Sequence, residues 1–196
     1  RLHRYLISVS AYNGDSAYLW HHSAKQNTVS SKGQLEEHQF VRICRKENAA
    51  LRVLFVGNSI TRHGIKPDIG WHGDWGMAAS TRERDFVHRL CTKLEEAGVT
   101  VDLRFGNVAD FERNPAQNHG AYFADDLAFA PDVLVLRICE NTPADKYAEF
   151  AAAYESLIRS FRATPCCTVF AVGPFWENGT METLLHEASD KGGSVW

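Results

Sequence analysis

In the stretch "VLFVGNSITRHG", residues 53–64, a β-branched apolar run stops at Gly57 and hands over to Asn58 and Ser59. A hydroxyl offered on the turn after a buried strand stands where a nucleophile would stand, although it needs a base to take its proton. Serine and threonine at such places also cap turns and helices, so Ser59 and Thr61 have a purely structural role open to them. The second candidate is Asn141, in "LRICENTP", just past another apolar run. A side-chain amide there can donate to an oxyanion forming above the sheet edge, a contribution of roughly 10²–10³ in rate. Asn141 and Thr142 also sit where a helix opened by Pro143 wants a cap.

Other residues with chemistry are less ordered. The nine histidines are scattered, with no HExxH and no Cys/His cluster, so no metal site is implied. His63 and His72 follow Ser59 in the same loop, whereas His186 falls inside the helical pattern "METLLHEASDK", as a surface or packing residue. The five cysteines suit neither zinc nor a disulfide framework and favour a reducing, cytoplasmic setting. Cys166 and Cys167 read as small hydrophobes of a buried strand. Trp71 and Trp75, among glycines, would pack or form a stacking wall for a sugar ring. Arg137, inside an apolar strand, needs a carboxylate if buried, and Asp110 or Glu112 is expected to supply it.

The elements that must position these groups follow from hydrophobic rhythm. The chain has 196 residues, 44% apolar composition and a net charge of −3, enough for one core and no electrostatic case for nucleic acid or an anionic membrane. No apolar run is long enough to span a bilayer. Residues 1–49 hold short β-like stretches and read as a β-rich segment or the remnant of an accessory domain. From residue 50 strands and helices alternate: "LRVLFVG", a long glycine-containing loop, a helix over 77–97, "VTVDLRFGN", "DVLVLRI", an amphipathic helix carrying Tyr147 to Phe161, "CCTVFAVGPF", a helix over 180–191, and "SVW" opening a further strand. The fold class is therefore α/β: a three-layer α/β/α, flavodoxin-like parallel sheet with a short β-rich segment in front. Such sheets work beyond the carboxyl ends of their strands, which selects the loops after residues 56, 106 and 138.

"GNSIT" after the first of these strands and "ENT" after the third resemble the SGNH hydrolases, the GDSL-like lipases and esterases. "FVGNSITRHG", "GWHGDWGMAAS", "NVADFER", "DVLVLRICENT" and "VGPFW" are similar to one bacterial branch. The resemblance covers about residues 51–196 and implies Ser59 as nucleophile and Asn141 as oxyanion donor. It implies a serine ester hydrolase for small acyl esters, acetylated carbohydrates among them, with a small-molecule substrate as partner and neither a metal nor an organic cofactor. Three departures stand out. The loop after the second strand has no glycine, so Ala109 or Glu112 would offer the second oxyanion amide. Cys139 replaces a glycine two residues before Asn141. The family's base, a histidine of an Asp-x-x-His segment after the fifth strand, is expected to lie beyond residue 196, which leaves 50–196 as a hydrolase domain without that segment. The rival reading is a non-catalytic flavodoxin-like domain binding a phosphate or flavin at "GNSIT".

Overall fold

The computed structural model describes residues 39–44, 48–116 and 119–196. Its strands are β1 (Gln39–Cys44), β2 (Leu51–Gly57), β3 (Val101–Asn107), β4 (Val133–Arg137) and β5 (Thr168–Ala171), in the sheet order β1-β3-β2-β4-β5. β2 runs parallel to both of its neighbours, β3 and β4, and β5 continues parallel beside β4. These four strands are apolar almost throughout because both faces of the sheet are covered. Successive side chains alternate between the faces. Leu54, Val56, Leu134 and Leu136 join the core under α5 (Tyr147–Arg162) and α6 (Gly179–Gly192). Val53, Phe55 and Val133 join the core under α1 (Phe86–Glu96). On α5 the stripe Phe150, Tyr154, Leu157, Ile158 and Phe161 is buried, each side chain worth about 1.5–3 kcal/mol of transfer.

The three-layer α/β/α arrangement is as the sequence implies, with corrections at its margins. The sheet is mixed, because β1 pairs antiparallel with β3, from Gln39↔Asn107 to Cys44↔Asp102. The last part of the 1–49 segment is thus an edge strand of the main sheet, and residues 1–38 lie outside the described residues. The physical reason is the open edge of β3, whose backbone groups need partners; Arg42 pins the pairing with bonds of 2.9 and 2.6 Å to Asp102. The helix expected from residue 77 begins at Phe86. Asp85 ends the preceding loop by accepting from the His88 amide at 2.7 Å, and apolar periodicity starts only there. Cys166 is exposed on a turn with φ of 68°, so β5 begins at Thr168 and Cys167 alone of the pair is buried. Residues 108–130, without a clear period in the sequence, carry three short helices: α2 (Ala109–Arg113), α3 (His119–Tyr122) and α4 (Ala124–Ala128). Val195 bridges Phe170 in parallel, as "SVW" implies.

Candidate active site

The turn after β2 is built by close approach. The amides of Thr61 and Arg62 both donate to the Asn58 carbonyl, at 2.9 and 3.0 Å, closing one helical turn around Ser59. A Cβ on Gly57 would lie 1.7 Å from Thr61 Oγ1, so a larger residue would force the turn open. The Asn58 side-chain oxygen accepts from the Ile60 amide at 3.1 Å, an Asx turn that spans Ser59. Asn58 and Ile60 are buried while Ser59 is half-buried. Among the described residues, none bonds the Ser59 hydroxyl, so it does not act as a cap.

The loop beyond folds back on this turn. The Met77 amide donates to the Ser59 carbonyl at 2.9 Å, and the His63 amide to the Trp75 carbonyl at 3.0 Å. Gly76 makes that possible, since a Cβ there would meet the Ile60 carbonyl at 2.0 Å. Trp71 and Trp75 pack edge to face at 5.5 Å, and their ring N–H groups donate to the carbonyls of His63 and Ala79. Arg62 and Asp74 pair at 2.6 Å inside the same loop.

All three carboxyl-edge loops meet at one carboxylate. Glu112, on α2 after β3, is fully buried. Its Oε1 accepts from Asn58 Nδ2 at 2.9 Å and from the Cys139 amide at 2.5 Å, and its Oε2 accepts from Asn141 Nδ2. The residue before Ser59 and the candidate oxyanion donor are therefore tied to the same group. Asn141 is not a helix cap, because its amide is given to Glu112 and the following helical turn starts at Ala144 without a side-chain cap. One of the two amide hydrogens of Asn141 is committed to Glu112, which leaves the other for an oxyanion.

A second carboxylate completes the network. Glu140 accepts from Asn58 Nδ2, from Arg137 at 2.6 Å and from the Phe175 amide at 2.8 Å. Arg137 also reaches Asn58 Oδ1 at 3.4 Å and lies over the Phe175 ring at 5.5 Å. This corrects the expected pairing of Arg137 with Asp110 or Glu112. Asp110 turns to Arg113 at 3.2 Å, Glu112 is filled by three N–H donors, and Glu140 lies one turn along the chain from Arg137. The proposed second oxyanion amides also fail: the Ala109 N–H is taken by Asn107 Oδ1 at 2.9 Å, and the Glu112 N–H by the Val108 carbonyl at 3.3 Å, because this loop is helical.

Burial sets the electrostatics. Glu112 is pushed up to about 7 by desolvation, against the pull of the bonds from Asn141 and Asn58. Burial likewise pushes the Cys139 thiol well up, with Glu140 and Glu112 adding to it, so it stays protonated. No histidine bonds Ser59 among the described residues. His63 Nδ1 lies 2.6 Å from the Gly64 carbonyl, His88 is buried against Asp85 at 2.7 Å, and His186 packs beside Trp196 on the outer face of α6. Among the described residues no group of three or more His, Cys, Asp or Glu is gathered as metal ligands would be, and no helix is long and apolar enough to cross a membrane.

Sequence reasoning reached Ser59 and Asn141 and missed the roles of Glu112 and Glu140. The one available signal for Glu112 is its place beside the apolar Val108 and Phe111 in "NVADFER", which puts a charge near a buried helix face.

No family model and no curated protein matches the chain. Solved structures do. The acetylxylan esterase of Geobacillus stearothermophilus superposes with a TM-score of 0.53 at 15% identity, covering 74% of each chain. An α/β hydrolase from the metagenome of Lake Arreo gives 0.52 at 18% identity over 74% of this chain and 75% of that one. A candidate GDSL-like lipase of Parabacteroides merdae gives 0.51 at 18% identity over 77% and 78%. At these identities the likeness concerns the backbone: the protein has the fold of the SGNH/GDSL-like hydrolases.

Proposed function

We propose that the protein is a serine ester hydrolase of the SGNH type, acting on small acyl esters, with acetylated carbohydrates as the leading substrate class. The observation that carries the reading is the buried Glu112 carboxylate, which ties the Asn58–Ser59 turn and the Asn141 amide to one point on the sheet edge. Acetylxylan esterases among the similar folds support the acyl group.

In this reading Ser59 Oγ attacks the acyl carbon as a histidine base takes its proton. The carbonyl π electrons move onto oxygen, where the free Asn141 N–H and the Ser59 backbone N–H receive the negative charge. Collapse expels the alcohol with a proton from the base, and water then releases the acid by the same steps in reverse. The phosphate- or flavin-binding alternative is disfavoured by charge, because Glu112 and Glu140 stand directly under the turn where a phosphate would sit.

The test is covalent labelling. A fluorophosphonate should add to Ser59 and inactivate hydrolysis of p-nitrophenyl acetate, and Ser59→Ala should abolish both. Equal labelling of Ser59→Ala would remove Ser59 from the mechanism.

A further inference from the structure

Glu112 is an expensive residue to keep in this fold. It is a fully buried carboxyl, and an isolated buried charge is strongly disfavoured. What compensates is the set of three N–H donors, and each comes from a different part of the candidate site: Asn58 beside Ser59, the Cys139 amide, and Asn141. None of the three is needed to close a strand pair, since β2 and β4 are already joined through Gly57↔Arg137. The carboxylate therefore does little for the sheet and much for the relative placement of two side-chain amides.

We propose that Glu112 is a positioning residue for the hydrolysis described above: its carboxylate fixes the orientation of the Asn58 and Asn141 amides, and so aligns the Ser59 turn with the oxyanion donor without touching substrate. The inference rests on the ester-hydrolase reading. The geometry is directional. Both Asn58 Nδ2 and the Cys139 amide point at Oε1, and Asn141 Nδ2 points at Oε2. In Glu112→Gln, the remaining oxygen can keep Asn58 and Cys139, but the new NH2 group then faces the Asn141 NH2, donor against donor. Asn141 relieves this by turning its amide over, which carries its free N–H away from the oxyanion. Shape and volume are preserved, so the change acts on orientation.

Protonation of Glu112 would perturb the same contacts, and burial brings its titration to about 7. The ionisable groups around it are Glu140 and Arg137, which pair at 2.6 Å, and the Cys139 thiol, which burial keeps protonated. On its own helix Asp110 and Arg113 pair with each other at 3.2 Å.

The experiment follows the side-chain amide signals of Asn58 and Asn141 by NMR in ¹⁵N-labelled protein between about pH 5 and pH 9, alongside kinetics on p-nitrophenyl acetate. Both signals should move together through one midpoint near 7 in the unmodified chain, and the shared transition should vanish in Glu112→Gln. That variant should lose kcat by about 10- to 100-fold, short of removing the donor outright, with KM changed by less than about threefold. Signals that do not titrate together, or a folded Glu112→Gln with unchanged kcat, would overturn the proposal. The Ser59→Ala control separates the two claims: undiminished hydrolysis there refutes the nucleophile, whereas the amide titration decides by itself whether Glu112 holds the two amides.

Discussion

The charge state of Glu112 should be visible in stability as well as in activity. The perturbation is Glu112→Gln, which removes the ionisation and keeps the shape. In the fold this carboxyl titrates at about 7, against an ordinary 4.5, because burial disfavours its charge. The folded state therefore holds its proton over a window in which the unfolded chain has released it, and folding loses free energy as pH rises through that window. The loss is about 3 kcal/mol between the two pKa values, at about 1.4 kcal/mol per pH unit. Asp126 contributes a similar loss at lower pH, since burial lifts it from 3.8 to about 6 despite the Arg104 contact at 2.6 Å. Above about pH 6 the slope belongs mainly to Glu112, roughly 1 kcal/mol between about pH 6 and pH 8. Urea unfolding followed by tryptophan fluorescence at several pH values measures it directly. The unmodified protein should lose stability across that interval, and Glu112→Gln should be nearly flat there. A flat profile for the unmodified chain, or an equal slope in the variant, would refute the claim that Glu112 is buried and desolvated.

Three further outcomes follow from the geometry. Gly57→Ala would drive a methyl to 1.7 Å from Thr61 Oγ1, so a loss of about 1–3 kcal/mol and of activity is expected; an unchanged melting temperature would mean that the turn is looser than described. Asn141→Ala should lower kcat by about 10²–10³ with the far-ultraviolet circular dichroism intact, and a kcat within twofold of the parent would exclude it as oxyanion donor. Asp85→Ala removes the cap of α1 and the partner of buried His88, and should cost about 2–3 kcal/mol in urea unfolding with no change in substrate specificity.

The sequence determined the layers and the edge on which the candidate site lies. Runs such as "LRVLFVG" and "DVLVLRI" are apolar at nearly every buried position, Arg137 excepted, and that is the mark of a parallel sheet covered on both sides. The α5 stripe was legible for the same reason, a period of 3.6 over a long segment. Ser59 and Asn141 could be singled out because glycine and proline punctuation placed them just past strands. The start of α1 and the helices of 108–130 were less legible: caps and short helices depend on single hydrogen bonds, which leave no periodic trace. What only the tertiary structure decided is the connection between the two candidates. Glu112 reaches Asn58 across 54 positions and Asn141 across 29, a contact that exists because β3 and β4 flank β2. The sequence also pointed Arg137 to the wrong carboxylate, Asp110 or Glu112 in place of Glu140, and left open whether Asn141 would cap a helix. Both turned on competition for N–H donors and carboxylate oxygens in a buried space, and that competition is settled by distance in three dimensions, not by spacing along the chain.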